Sequence, residues 1–171
     1  DKFHNKKMRI INYLALSCFF TTFVFFNSCS GYKPIFSSTN LNFEVSSHLI
    51  TGNKRLGNQL YTKINKSTQK NKDQKSPYNF NIFINILKNK EATVKNTAGK
   101  ILEYKIILNT DFKVVDSFTK EEFINSQSTY STSYKVQDKH SDTIKTENRA
   151  VENLINQISQ EILIQISEII K

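Results

Sequence analysis

Apolar and polar positions change rhythm several times along the chain, and each change marks an element. Residues 10–26 are almost unbroken apolar sequence, interrupted by Asn12 and a few Ser, Thr and Cys residues. Residues 31–40 show no periodicity and hold Gly, Pro, Ser, Thr and Asn, which reads as a tether. Leu41, Phe43 and Val45 then alternate with Asn42 and Glu44, predicting a short strand over 41–45. Leu56, Leu60 and Ile64 recur every four residues, predicting a helix over 53–65 in which Gly57 is worth about 1 kcal/mol less than Ala. Residues 66–77 hold Lys66, Lys70, Lys72 and Lys75 and no apolar side chain. That stretch reads as a solvated connection, with a basic loop facing anionic lipid as the alternative.

The clearest strand lies at 78–87 and is extendable through Val94. Tyr78, Phe80, Ile82, Ile84 and Ile86 fall on one face, and Asn79, Asn81, Phe83, Asn85 and Leu87 on the other. Asn96-Thr97-Ala98-Gly99-Lys100 is turn chemistry. A second long strand follows at 101–115. Leu102, Tyr104, Ile106, Leu108, Phe112 and Val114 share one face, and Ile107 and Val115 lie among the polar residues of the other. Residues 117–120 turn the chain again, and 123–134, rich in Ser, Thr and Tyr, predicts a weaker, partly exposed strand. Ser141 or Asp142 is the expected N-cap of a long helix over 143–170. Its stripe runs Ala150, Val151, Leu154, Ile155, Ile158, Ile162, Ile166 and Ile169.

The order β-α-β-β-β-α predicts an α+β fold. A parallel first crossover should be followed by antiparallel hairpins in a four-stranded mixed sheet, with two helices on one face, a two-layer sandwich. The other face would carry Asn79, Asn81, Asn85, Lys105 and Lys113 together with Phe83, Leu87, Ile107 and Val115. Such a face is either a solvated surface or an interface.

Charge and cysteine usage change the picture at the N-terminal side. The formal charge of the 171 residues is +9. Met8 is the only methionine and reads as the start; Arg9 supplies a positive flank and 10–26 the apolar region of an export signal. Residues 1–28 are therefore expected to be upstream residues plus a cleaved lipoprotein signal peptide, with 29–40 a tether and 41–171 the domain. A retained membrane anchor is the alternative, although the run falls short of the about 20 residues a span needs. Losing residues 1–28 removes four basic residues and one acid from the 24 and 15, leaving 20 against 14 and a charge of +6. Export removes nucleic acid from the partners a basic chain suggests, and part of the charge accompanies a general Lys, Asn and Ile bias.

Cys18 leaves with the signal, so Cys29 has no intramolecular partner. The seam Phe26-Asn27-Ser28-Cys29-Ser30-Gly31-Tyr32-Lys33-Pro34 places a small residue directly before Cys29, as a lipoprotein processing site requires. Cutting before Cys18 would leave 19–26 as an apolar N-terminus. Cys29 is thus the expected site of a covalent N-terminal lipid, and no other cofactor is implied. Catalytic chemistry finds no support. His48 and His140 have no ligand-spaced partners, no Gly-rich phosphate loop exists, and Glu121-Glu122 would point to opposite faces. The residues favour a binding or structural protein over an enzyme.

Three stretches together resemble one family. The seam at Cys29-Ser30-Gly31-Tyr32, the turn 96–100 followed by Glu103-Tyr104-Lys105-Ile106-Ile107-Leu108, and the helix opening Asn148-Arg149-Ala150-Val151-Glu152-Asn153-Leu154 are similar to motifs of the lipopolysaccharide-assembly lipoprotein family LptE. The element order agrees over 29–171. The resemblance implies a non-enzymatic lipoprotein at the periplasmic face of the outer membrane, held by lipid on Cys29. It also implies a partner, an LptD-like β-barrel that the lipoprotein plugs and helps to assemble, and lipopolysaccharide as a ligand. Carried over by position, the lipopolysaccharide-binding residues would be Lys95, Lys100, Lys135 and Lys139. A periplasmic, membrane-anchored lipid-binding module is the alternative function.

Overall fold

The computed structural model describes residues 41–68 and 77–170, within the unit 39–171. Residues 1–40, including Cys29 and the expected signal and tether, lie outside the described residues, as does most of the lysine-rich connection. Four strands, β1 (Phe43–Gly52), β2 (Tyr78–Lys95), β3 (Ile101–Asp116) and β4 (Glu122–Lys135), form one sheet in the order β1-β2-β3-β4. β1 and β2 are parallel and the two hairpins antiparallel, as the element order predicts. Helix α1 (Lys54–Thr68) and helix α2 (His140–Ile169) bury their apolar stripes on the same face of that sheet. The fold is the expected α+β sandwich.

β1 is twice the predicted length. Its register against β2 slips between Val45 and Ser47, leaving Ser46 as the extra residue of a bulge. The bulge reverses the alternation, so Phe43 and Val45 before it and His48 and Ile50 after it all face the helices. A strict period of two ends at Val45, and a reading based on it stops there. Beyond Ile50 the chain turns at Gly52, whose φ is +68°. The Asn53 N–H donates to the Ile86 carbonyl at 2.7 Å, and Asn53 Oδ1 accepts from the Leu56 N–H at 3.2 Å, capping α1. Gly57, a weakness by propensity alone, has a packing reason. A Cβ there would stand 2.4 Å from Ile50 Cγ2, so its absence lets α1 approach β1 closely.

The core is one cluster. Leu56, Leu60 and Ile64 of α1 meet Phe80, Ile82, Ile84 and Ile86 of β2, Ile106, Leu108, Phe112 and Val114 of β3, and the α2 stripe from Val151 to Ile166. Each such side chain contributes about 1.5–3 kcal/mol when fully buried. Leu102, expected on this face, is exposed. α2 starts at His140, three residues before the predicted position. Lys139 is its N-cap without a side-chain bond, and Thr143 Oγ1 instead accepts from the Gln137 N–H at 2.9 Å.

Thr110 sits on the core face of β3, and its Oγ1 meets no hydrogen-bond partner among the described residues. A buried orphan hydroxyl costs about 1–3 kcal/mol. Thr110→Val, which keeps the shape, should therefore raise the thermal unfolding midpoint, with a gain of about 1 kcal/mol.

The outer face is uncovered by either helix. Ser47 Oγ donates to Asn81 Oδ1 (2.7 Å), Asn85 Nδ2 to Asp111 Oδ2 (2.9 Å) and Thr129 Oγ1 to Asn109 Oδ1 (2.8 Å). Among these amides stand exposed Leu49, Phe83 and Leu87. β4 is the sheet's far edge, and between Glu122 and Lys135 it carries no charge, no Pro and no Gly.

Candidate functional site

β2 outruns its neighbour β1. β1 ends opposite Ile86, yet β2 continues to Lys95, so the β2–β3 hairpin projects as an arm. Its turn is self-closing. Asn96 Oδ1 accepts from the N–H groups of Ala98 (3.1 Å) and Lys100 (2.9 Å), and the Asn96 N–H donates to the Lys100 carbonyl (2.9 Å). Gly99 completes it at φ +80°. β4 runs alongside as far as Lys135, opposite Glu103, after which the Val136 N–H donates to the Leu102 carbonyl at 2.9 Å. The chain then enters α2.

This topology brings all four expected lysines to one end of the sheet. Lys95 and Lys100 flank the hairpin turn, Lys135 closes β4 and Lys139 caps α2; all are exposed. Within 88–105 and 135–147 there are eight lysines and five carboxylates, a local charge of +3 without the histidine.

The arm is fixed to α2 by a cluster on its helix-facing side, short of the tip. Glu147 Oε1 accepts from Lys88 Nζ at 2.5 Å; Oε2 accepts from Lys90 Nζ and from the Tyr134 hydroxyl, both at 2.7 Å. Lys90 Nζ also stands 4.1 Å from the centre of the Tyr104 ring, which stacks on Tyr134. Burial would raise the Glu147 carboxyl, but the hydrogen bonds from Lys88, Lys90 and Tyr134 reverse this and hold it at about 2. Burial likewise lowers the Lys90 ammonium, and its bonds to Glu147 and Tyr134 outweigh that and raise it to about 12. Burial pushes the Tyr134 phenol up. One carboxylate thus bridges two lysines and leaves a net charge of +1 in the cluster, besides Lys95 and Lys100 at the tip.

Sequence reasoning does not single out this cluster, although a signal exists. Lys88 and Lys90 continue the parity of Ile82, Ile84 and Ile86, so they are lysines on the helix-facing side of a strand. Glu147 lies four residues before Val151 on the helix that covers that side.

Two open hollows lie among the described residues. A groove of about 580 Å³ between the helices is lined by Arg55, Lys63 and Lys66 of α1, by Glu152 of α2, and by Val151 and Ile155 at its floor. A depression of about 240 Å³ on the outer face is lined by Leu49, Phe83, Lys113 and Asn125 among others. No metal-binding group of His, Cys, Asp or Glu occurs among the described residues. No helix among them is long and apolar enough to cross a membrane.

No family model and no curated protein matches the chain. Solved structures do. Rare lipoprotein B from Shewanella oneidensis superposes with a TM-score of 0.54 at 11% identity, over 71% of this chain and 94% of that one. Uncharacterized lipoprotein B from Nitrosomonas europaea gives 0.52 at 17% identity, over 76% and 87%. What is shared is the fold. The correspondence spans most of this chain and nearly the whole of those structures, so the likeness is to a complete domain of this kind and not to a common fragment.

Proposed function

We propose that this chain is an outer-membrane lipoprotein, held at the periplasmic face by lipid on Cys29. It plugs and supports an LptD-type β-barrel that delivers lipopolysaccharide to the cell surface. The observation that carries the reading is the fold correspondence with two proteins described as lipoproteins, over most of each chain. The cysteine seam and the three motif stretches point the same way. The arm supplies the chemistry for a phosphate-bearing glycolipid, since ammonium groups at Lys95, Lys100, Lys135 and Lys139 can form charge-assisted hydrogen bonds to phosphate oxygens. The outer sheet face, with its amide ladder and three exposed apolar side chains, is the surface offered to a barrel wall. A lipid-carrying module would need an enclosed apolar chamber, whereas both hollows described above are open and partly polar-lined.

Purification of the full chain from outer membranes should co-isolate a large β-barrel, with lipopolysaccharide in the same fraction. Alanine at any one of the four lysines should leave the barrel bound and lower the co-isolated lipopolysaccharide about fivefold, and alanine at all four by up to several hundredfold, given about 1 kcal/mol per lysine at an anionic lipid surface. Isolation of the protein alone, with lipopolysaccharide export unchanged after depletion, would sink the proposal.

A further inference from the structure

The end of the sheet opposite the lysine arm carries a single apolar projection. Phe118, in the β3–β4 turn, is 78% exposed, well above any other large apolar side chain described. The turn that presents it is tightly held. Asp116 Oδ1 accepts from the N–H groups of Phe118 (2.7 Å) and Thr119 (2.8 Å), and the Ser117 N–H donates to the Asn79 carbonyl at 2.9 Å. Lys120 adopts a φ of 63°, and its Nζ donates to the Ser117 carbonyl at 2.6 Å. Hydrogen bonds from the Thr119 and Phe118 backbone hold the Asp116 carboxyl below its ordinary range. The charges around the ring are therefore mostly engaged inside the turn, and Glu122 is paired with Lys113.

The position of this turn decides its meaning. Register pairs Phe43 with Tyr78 and Phe80 with Asp116, so the start of β1, the start of β2 and the Phe118 turn share one end of the sheet. The chain coming from Cys29 enters the domain at that end, at Leu41. Eleven residues lie between Cys29 and Leu41, a reach of at most about 40 Å. If Cys29 carries lipid, the Phe118 end is the one nearest the bilayer.

We propose that Phe118 is a membrane-contacting residue, inserted into the lipid interface beside the anchor as a second attachment point. A single lipid chain gives reversible binding, and an apolar side chain at the interface adds to it. The occupant is the bilayer itself, through its apolar boundary and not its charge, because the turn offers an aromatic ring and few free cations. The inference rests on the lipid-anchor reading of the preceding section. It also sets orientation, since the lysine arm then points away from the anchoring leaflet.

The chain contains no tryptophan, so Phe118→Trp creates a sole reporter. The full chain, purified from membranes with Cys29 intact, would be reconstituted into zwitterionic phosphatidylcholine vesicles with or without acyl-brominated lipid. The expected result is a blue-shifted emission that brominated lipid quenches and high salt does not relieve. Leu87→Trp, on the outer face toward the arm, should stay unquenched. A water-exposed, unquenched indole in the Phe118→Trp variant, on vesicles that do retain the protein, overturns the inference and leaves the anchor standing. Failure of the protein to bind vesicles overturns both. Quenching that survives Cys29→Ala supports the turn as an attachment point in its own right, the anchor being read separately by lipid labelling of Cys29.

Discussion

Glu147→Ala is expected to destabilise the domain by about 1–3 kcal/mol and to free the hairpin arm from α2. The substitution leaves Lys88 and Lys90 side by side on the covered face with no carboxylate between them, and it removes the acceptor of the Tyr134 hydroxyl. The figure is kept well below a fully buried ion pair, because Lys90 is partly open to solvent. Urea unfolding would measure the loss. Hydrogen exchange should report faster opening of amides in 88–95 and 101–105 than in the core strands. The pH dependence follows from the depressed carboxyl. Glu147 titrates at about 2 in the folded chain and near 4.5 when unfolded. Its contribution is complete above about 4.5 and disappears as pH falls toward 2. Glu147→Gln should flatten that part of the stability profile. A variant with the wild-type slope between pH 4.5 and 2 would show that other carboxylates account for it.

Gly52→Ala should be at least as damaging, by about 2–4 kcal/mol. Two effects combine. Gly52 sits at positive φ, which disfavours a side chain. A Cβ would also stand 2.4 Å from the Ile86 carbonyl oxygen, the acceptor of the Asn53 N–H that opens α1. The chain cannot shift that carbonyl without disturbing both the end of the β1–β2 pairing and the α1 cap. Gly99→Ala is the internal comparison. It has positive φ but open space around the position, so only the conformational cost applies. A thermal midpoint for Gly52→Ala no lower than that of Gly99→Ala would rule out the steric part of the argument.

Element type and order are readable because β2, β3 and α2 are long and strongly periodic. Ile82, Ile84 and Ile86 leave little choice of face, and neither do Leu154, Ile158 and Ile162. β1 is readable only to Val45, since a one-residue bulge at Ser46 makes its second half look out of phase. Gly57 looks like a defect because propensity carries no information about Ile50, seven residues earlier and packed against it. Residue preference puts the N-cap of α2 on Ser141 or Asp142, whereas Thr143 secures the helix start by bonding back to Gln137. Of the candidate site, the four lysines follow from position in a motif, and topology does bring them to one end. The Lys88–Glu147–Lys90 cluster joins residues 57 and 59 positions apart, a separation that no local pattern encodes. Phe118 looks like one aromatic in a polar turn, and its significance depends on which end of the sheet receives the chain from Cys29.

The uncharged edge of β4 has a consequence for supply. Sheet edges in soluble proteins are normally blunted by lysines, prolines or bulges, because an open edge templates pairing with another chain. Twelve consecutive residues of β4 lack charge and Pro, and the register slip beside Val115 falls only at the strand's beginning. Encounter between two such edges is second order in concentration, and on the lipid-anchor proposal confinement to a membrane surface would raise the local concentration further. If the barrel partner proposed above covers this edge, copies made in excess of it would be removed by self-association, and under that proposal the steady amount of usable protein is expected to follow the amount of the partner and not its own rate of synthesis.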